Sequence, residues 1–324
     1  MRTFKLKKCN FIHGLHFTPI EGELLLLAGV EAAGVDSAIL LHLASELPIW
    51  IEPLSVDHTT ITGDHSRMVV TCNVYQQSAL TNLVRWTDPN RVLFNWRSVD
   101  VGATWLTSTS AFVATAPAIF PDGNRLLVGL GRQRFRGNSG EWSFSLAECL
   151  LAPPGPPKVV EVPSPIVWLA IAPDGGRWAA SCVLDGRPSI GLFDRLGGPS
   201  LAQFRTPGRR NCATQLAFTA DGRHLVAAEG RAVFVLAADQ LTLTAKLTGH
   251  NGQVRGVALS PDGHHLLTAS SDGVVRVWEV ETGVLVKMYD WQIGPIRAAT
   301  FSPDGLLCAA AGTRGQLVIW DADG

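Results

Sequence analysis

The chain has 324 residues, of which 46% are hydrophobic and 17% charged, and its formal net charge is −1. This composition excludes a disordered chain and gives no global charge bias towards nucleic acid or membrane lipid. The 32 glycines and 19 prolines indicate many turns. No apolar run reaches the roughly 18 residues of a membrane helix, since the run from Leu24 to Val30 is too short. The basic N-terminus leads into polar residues, so we expect no signal peptide.

Six cysteines are scattered along the chain with no CxxC or CxH pairing. A chain of this length does not need the disulfide framework of a small secreted domain. We therefore expect free, mostly buried thiols in a reducing compartment, and a cytoplasmic protein.

Short strands are the elements predicted along the whole chain, because helical periodicity is absent. The first, Thr3 to Lys8, alternates apolar Phe4 and Leu6 with lysines, which is the pattern of a half-buried strand. Eight further strands are predicted before residue 97, at 15–18, 24–28, 38–43, 49–52, 56–62, 68–74, 83–87 and 92–96.

From residue 120 onwards, an Asp-Gly turn recurs between two apolar segments. Proline or alanine before the aspartate, and glycine after it, are typical of a tight turn. The last three copies are 41 and 42 residues apart. The five aspartates are Asp122, Asp174, Asp221, Asp262 and Asp304.

Each repeating unit is predicted to hold four antiparallel strands. In the clearest unit, Val254 to Leu259 precedes the turn at Asp262, and Leu266 to Ala269 follows it. Two more strands follow, Val274 to Glu279 and Val284 to Met288. Four strands in just over 40 residues are typical of one blade of a β-propeller.

The segment Gly249 to Glu279, GHNGQVRGVALSPDGHHLLTASSDGVVRVWE, resembles a WD repeat that closes on Trp-Glu in place of Trp-Asp. The last unit closes on the literal pair Trp320-Asp321. The resemblance implies an all-β fold: one seven-bladed β-propeller domain, residues 1–324, built from four-stranded antiparallel blades. The last five blades are expected at 110–160, 163–205, 206–248, 249–290 and 291–324. Because the last blade lacks a fourth strand, we expect residues 3–8 to supply its outer strand and close the ring.

His250, Thr268, Asp272 and Trp278 include the ingredients of a nucleophilic triad. In WD repeats, which this unit resembles, side chains at these offsets form a buried structural network in which each satisfies another. The resemblance therefore implies a structural role and no catalytic residue. The last unit has Gln292, Ala310 and Arg314 at the corresponding offsets and keeps only the tryptophan.

Other motifs give no catalytic or metal site. The segment Ser98 to Trp105 fits the S-x-D-x-G-x-T-W pattern of the Asp-box of sialidase-like propellers, but the pattern occurs once and describes a turn. His264 and His265 are adjacent and lack further metal ligands nearby in the sequence. We find no phosphate-binding loop, dinucleotide fingerprint or nucleophile elbow, and we expect no metal and no cofactor.

An insertion, Gly131 to Glu141, interrupts the connection between the second and third strands of the third blade. It carries Arg132, Arg134, Phe135 and Arg136. Two interpretations remain open. The segment is either a solvated, extended hairpin, or a recognition loop whose arginines bind an acidic peptide or a phosphate.

The WD-repeat resemblance also implies which residues line the top face of the propeller, where this insertion would lie. Arg255 and Arg297 would join the three arginines of the insertion there. The full set predicted to bind a partner is Arg132, Arg134, Phe135, Arg136, Gln253, Arg255, Ser271, Arg297, His13 and Asp57.

The function expected from the sequence is a non-enzymatic scaffold that binds a protein or peptide, an acidic one among the possibilities, on this top face. We expect a monomer within a larger assembly, with no membrane partner. Two alternatives stay open: a hydrolase-like propeller enzyme with a pocket at the channel mouth, and a polyanion binder that uses the arginines.

Overall fold

A computed structural model of the chain describes residues 1–5, 9–20, 23–32, 35–42, 48–51, 58–61, 67–72, 80–85, 88–95, 110–114, 117–136, 139–150, 156–208, 212–313 and 315–323. Side chains are described for residues 1–3, 15, 17, 117–131, 142–150, 156–208, 212–313 and 315–323. In these parts of the chain no helix is long and apolar enough to cross a membrane.

The described elements are β-strands. The first nine are β1 Arg2–Lys5, β2 Cys9–Ile20, β3 Glu23–Ala32, β4 Val35–His42, β5 Pro48–Ile51, β6 His58–Ile61, β7 Arg67–Cys72, β8 Leu80–Arg85 and β9 Asp88–Asn95. The next nine are β10 Ser110–Ala114, β11 Ala118–Ile119, β12 Arg125–Arg136, β13 Ser139–Leu150, β14 Lys158–Val162, β15 Trp168–Ile171, β16 Trp178–Leu184, β17 Arg187–Phe193 and β18 Ala202–Arg205. The last eleven are β19 Gln215–Phe218, β20 His224–Glu229, β21 Ala232–Ala237, β22 Thr242–Leu247, β23 Val254–Leu259, β24 His265–Ser270, β25 Val274–Glu279, β26 Leu285–Asp290, β27 Ile296–Phe301, β28 Leu307–Gly312 and β29 Gln316–Asp321.

These strands pair antiparallel into separate sheets, six of four strands and one of five. The chain divides into two compact units. Residues 1–54 and 206–324 hold the sheets β2–β5, β19–β22, β23–β26 and β27–β29 with β1, whereas residues 55–205 hold β6–β9, β10–β14 and β15–β18. The all-β prediction is confirmed, and each predicted strand before residue 97 has a counterpart. The prediction of a single domain stays a prediction.

The N-terminal strand β1 is the outer member of the last sheet, where it lies beside β29 in the order β1-β29-β28-β27. The register pairs Thr3 with Val318 and Phe4 with Leu317. The predicted pairing is therefore present, over Arg2–Lys5. Residues 6–8 of the predicted strand lie outside the described residues.

The sheet β10–β14 departs from the simple four-stranded unit in two ways. Its first strand is split into β10 and β11, which both pair with β12. The segment from Gly131 to Glu141, predicted as an insertion in the connection between the second and third strands, continues these strands, because β12 and β13 run through it in register as far as the pair Arg136 and Ser139. The segment is an extended hairpin, the first of the two interpretations, although its role in binding stays a prediction.

The Asp-Gly turns connect the first two strands of their sheets, and neighbouring turns contact each other within each unit. A side chain on Gly305 would lie 3.5 Å from the Pro261 ring, and one on Gly175 would lie 3.4 Å from the Pro121 ring. Both glycines have a positive φ, 75° and 67°, which L side chains rarely adopt. Glycine is therefore favoured at these turns by its conformation, whereas the distances to the proline rings are ordinary van der Waals contacts.

The buried core lies between neighbouring sheets. One cluster joins Val235 and Leu247 of one sheet to Leu266 and Trp278 of the next. The free thiols of Cys149, Cys182 and Cys308 are buried, and Cys212 is half-buried, as predicted for these four. Burial raises the pKa of Cys149 and of Cys308 to about 12. These two thiols are therefore structural rather than nucleophilic.

Candidate functional site

The carboxylates of the Asp-Gly turns are occupied by local hydrogen bonds. Asp262 contacts the hydroxyl of Ser260 and accepts a hydrogen bond of 2.9 Å from the N–H of His264. The same serine hydroxyl accepts a bond of 2.9 Å from the N–H of His265. The hydrogen bond from Ser260 is the main cause that lowers the pKa of Asp262. Asp221 and Asp304 make the same contacts with Thr219 and Ser302, so these acids hold turns.

The predicted network of His250, Thr268, Asp272 and Trp278 is assembled in the sheet β23–β26. His250 Nδ1 lies 2.9 Å from Asp272 Oδ2, and its Nε2 lies 2.8 Å from Thr268 Oγ1. The indole N–H of Trp278 donates to Thr268 Oγ1 at 2.8 Å. Asp272 also accepts the N–H of Asn251 at 2.9 Å. The histidine thus ties the segment before β23 to the turn between β24 and β25.

The electrostatics of this network favour a neutral histidine beside an ionised aspartate. Burial is the largest cause that lowers the pKa of His250, and it outweighs the opposing hydrogen bond to Asp272. Burial by itself raises the pKa of Asp272, but hydrogen bonds from His250 and from two backbone N–H groups hold that pKa well below its usual range. The Thr268 hydroxyl is fully buried and bonded to both an indole and an imidazole, so it is a structural link between these side chains.

Arg276 is a further member of the network that the sequence analysis missed. It is buried, its Nη1 lies 3.2 Å from Asp272 Oδ2, and the same nitrogen contacts His250 Nδ1. The alternation of side chains along a strand was the available signal, because residue 276 lies two positions before Trp278 and so on the same face of β25. Arg276 supplies the positive charge that balances the buried carboxylate of Asp272.

The last sheet keeps the tryptophan of the network without its hydroxyl partner. Ala310 stands where Thr268 stands in the preceding sheet, and both are fully buried. Trp320 packs instead against Tyr289 and Trp291, with ring centroids 5.4 and 4.6 Å away. The indole N–H of Trp320 donates a hydrogen bond to the Tyr289 hydroxyl. An aromatic cluster with residues from the neighbouring sheet thus replaces the missing network.

Gln253, Arg255 and Ser271, three predicted binding residues, lie at one end of the sheet β23–β26. Gln253 and Ser271 are joined by two hydrogen bonds, the Gln253 N–H donating to the serine hydroxyl at 2.8 Å and the Ser271 N–H to the Gln253 carbonyl at 2.9 Å. Arg255 is exposed at a register shift of β23. Gln215 of the neighbouring sheet fixes that shift, because its amide donates to the Arg255 carbonyl at 2.9 Å and accepts the Val257 N–H.

Arg297 lies on β27, the first strand of the next sheet, close to Arg255. A side chain on Gly256, the residue after Arg255, would come within 3.1 Å of the Arg297 carbonyl oxygen. β23 and β27 therefore run against each other where they carry these two arginines. Arg297 is half-buried.

The two arginines and the Asp-Gly turns lie at opposite ends of these sheets. In an antiparallel sheet the first turn and the third turn lie at the same end, opposite the second turn. Arg255 and Arg297 therefore lie at the end opposite the Asp-Gly turns. The turn end carries three exposed carboxylates in this unit, Asp221, Asp262 and Asp304, together with exposed His264.

The remaining predicted binding residues are placed only in part. Arg132, Arg134, Phe135 and Arg136 lie on β12, and His13 lies on β2, but their side chains are outside the described set. Asp57 lies outside the described residues. Among the described side chains, no group of three or more His, Cys, Asp or Glu is arranged to hold a metal ion.

Sequence comparison links the C-terminal region of the chain to a known family. Residues 241–279 and 284–321 match the model of the WD domain, G-beta repeat. An uncharacterized WD repeat-containing protein of Synechocystis is 33% identical over 131 residues, which cover 40% of this chain and 36% of that protein. A ribosome biogenesis protein BOP1 homolog of Leishmania braziliensis is 52% identical over 42 residues, 13% of this chain and 6% of the relative. The chain thus matches about a third or less of the length of these relatives.

Structural comparison extends the likeness to the whole chain. The β-propeller domain of Cps50 (Swd1) from Myceliophteria thermophila superposes with a TM-score of 0.72 and covers 99% of this chain and 98% of that one. The two are 14% identical, so this likeness shows the fold alone. The C-terminal region of the chain thus matches two WD repeats, and the chain as a whole has the fold of a β-propeller domain.

Proposed function

We propose that the protein is a non-enzymatic scaffold, a single seven-bladed propeller of residues 1–324 that β1 closes by completing the last blade. A partner protein or peptide docks at the ends of the sheets that carry Arg255 and Arg297. The observation that carries this proposal is the proximity of the two arginines on β23 and β27, at the end away from the acidic turns.

A scaffold role is supported by the hydrogen bonds of the side chains that could otherwise be catalytic. The imidazole, hydroxyl and carboxylate that could form a triad are buried and bonded to one another, to Trp278 and to Arg276. A nucleophile needs access to substrate and a free base, and Thr268 has neither. The groups that are exposed at the opposite end, Gln253 and Arg255, are of the kind that recognises a partner rather than transforms it.

An acidic partner is supported by charge. Arginine binds carboxylates and phosphates through two parallel hydrogen bonds, and a basic surface speeds encounter with an acidic partner. The carboxylates of Asp221, Asp262 and Asp304 lie at the other end of the same sheets, so they do not neutralise this face directly.

Action within a multi-protein assembly is supported by several relatives that are named ribosome biogenesis proteins. Their matches cover a small part of either chain, so they indicate a kind of setting rather than a partner. Cytoplasmic localisation stays a prediction.

The test is affinity capture with the full chain from its source cell, followed by binding measurements with the captured partner. The double variant Arg255→Ala/Arg297→Ala is expected to bind at least tenfold more weakly than the unaltered protein. This difference in affinity should become smaller as the salt concentration rises. The matched control is His264→Ala/His265→Ala at the opposite end. Normal binding by the arginine variant, with loss in the histidine variant, would place the partner on the other end. Binding that persists only with polyanions such as heparin would favour the polyanion alternative.

A further inference from the structure

The hairpin of β12 and β13 extends beyond the strands that flank it. The two strands pair over twelve consecutive residues each with no register shift. On the outer side of β13, however, β14 reaches only as far as the pair Phe144 and Val162. From Ser139 to Ser143, β13 has no strand partner on that side in the described part of the chain. Unpaired backbone groups on a flat strand are a template for another strand.

One face of this overhang is aromatic. Trp142 is 42% exposed and stacks on Phe144, with ring centroids 6.1 Å apart and planes 5° from parallel. Gly131 lies opposite Phe144, and a side chain there would meet both rings at 3.5 Å. Because Gly131 has no side chain, β12 leaves the stacked rings of Trp142 and Phe144 uncovered at this position. An exposed tryptophan beside a free strand edge is the kind of residue on which binding energy concentrates.

The opposite face of the overhang carries the basic positions. Cross-strand partners share a face, and the register pairs Arg132 with Ser143, Arg134 with Glu141 and Arg136 with Ser139. Three arginines against one glutamate give the segment from 131 to 144 a formal charge of +2, whereas the whole chain has −1. The hairpin is thus sorted into an aromatic face and a basic face.

We propose that the free edge of β13 at Ser139–Ser143 binds an extended acidic segment of a partner protein by strand addition. Successive side chains of an added strand point to opposite faces. Its apolar residues would contact Trp142, and its acidic residues would lie on the arginine face, two strand spacings or about 10 Å from the β12 backbone. The ligand is therefore a segment in which acidic and apolar residues alternate.

This inference rests on the proposed scaffold function and names the chemistry of one ligand. It selects a peptide over a nucleic acid because the edge offers backbone N–H and C=O groups at the spacing of another strand. Charge alone would suit either polymer. The ladder of backbone groups suits only the peptide.

The direct test uses the full chain and a synthetic eight-residue peptide of alternating Glu and Val, capped at both ends and labelled for fluorescence anisotropy. The same peptide built from Lys and Val is expected to bind at least tenfold more weakly. Two further peptides carry N-methyl groups on either the odd or the even residues, so that one set blocks the backbone facing β13. One of the two is expected to lose at least tenfold in affinity and the other to bind almost normally.

Variants of the protein locate the site. Trp142→Ala is expected to weaken peptide binding at least fivefold. Arg132→Ala/Arg134→Ala/Arg136→Ala is expected to weaken it and to flatten its dependence on salt. Leu201→Ala removes an apolar side chain that is 53% exposed on another sheet of the same unit, and it should change nothing. Melting temperatures of all variants verify that they fold.

Three results would overturn the inference: no binding of the Glu-Val peptide, equal binding of both N-methylated peptides, or tighter binding of an oligothymidine that competes for the site. Partner capture distinguishes a failure of the strand-addition proposal from a failure of the proposed scaffold function. If partners are captured and bind through Arg255 and Arg297 but the Glu-Val peptide does not bind, the edge site is wrong and the scaffold stands. If the peptide binds as expected but no partner is captured, the scaffold function fails instead.

Discussion

The hydroxyl oxygen of Thr268 lies 2.8 Å from the indole nitrogen of Trp278, and this contact joins two adjacent strands of one sheet. The same oxygen meets His250 at 2.8 Å. A single buried hydroxyl therefore connects the third strand of the sheet, through His250, to the segment that precedes the first. This linkage gives the histidine, the threonine, the aspartate and the tryptophan a structural role in this sheet.

Removal of the carboxylate from this network should destabilise the protein strongly. Asp272→Ala leaves the Arg276 charge without its buried partner and leaves the N–H groups of Asn251 and Val274 without their acceptor. We expect a loss of about 3 kcal/mol in the free energy of unfolding, measured by urea denaturation. Asp304→Ala, in an exposed turn, is the control and should cost about 1 kcal/mol. Equal losses in the two variants would contradict a buried charge network.

Stability should depend on pH through His250. Because its pKa is lowered in the folded protein, the unfolded chain binds a proton that the folded protein excludes once the pH falls below about 6.5. The stabilising contribution is fully present above that pH and is lost as the pH falls towards the folded pKa. Urea midpoints at pH 7, 6 and 5 should decline, and His250→Gln should decline less steeply. A steeper slope in the variant would show that the folded histidine is protonated.

The contribution of Asp272 belongs to a lower pH window. Its folded pKa is also lowered, so the stability that it adds is present above its ordinary value of about 3.9 and lost only below that. Acid unfolding followed by circular dichroism from pH 5 to pH 2 should therefore occur at higher pH in Asp272→Asn than in the unaltered protein. An unchanged acid transition would show that the carboxylate is not held ionised.

The contribution of Tyr289 to holding Trp320 can be tested by single substitutions at Tyr289. Tyr289→Phe keeps the ring contacts and removes the hydroxyl that takes part in the hydrogen bond with Trp320. We expect a loss of about 1 kcal/mol in unfolding free energy. Tyr289→Leu also removes the stacking on Trp291 and should cost more. If both substitutions are neutral, apolar packing around Ala310 holds Trp320 without help.

Deletion of residues 1–8 tests the role of β1. The deletion removes the strand that pairs with β29 from Arg2 to Lys5 and exposes an edge of the last sheet. The melting temperature should fall by more than about 5 °C, and aggregation should rise with protein concentration. Removal of Met1 alone is the control and should have no such effect. Comparable melting of the long deletion would contradict the proposal that β1 completes the last blade.

The sequence by itself determined the features that depend on neighbouring residues. The Asp-Gly turns were predictable because the aspartate bonds to the backbone two residues on and the glycine accepts a positive φ. The four strands per unit followed from alternation between such turns. The resemblance of this unit to a WD repeat implied that His250, Thr268, Asp272 and Trp278 meet, and the strand register brings them together.

The tertiary structure decided the contacts that depend on packing between elements. Arg276 joins the network because burial leaves the Asp272 charge in need of a partner, and only the assembled sheet shows that need. Tyr289 reaches Trp320 from another sheet, at a distance along the chain that no local pattern encodes. The sequence alone left open whether the segment from Gly131 to Glu141 is an extended hairpin or a recognition loop. It forms an extended hairpin of two strands because a continuous ladder of backbone pairs joins β12 to β13.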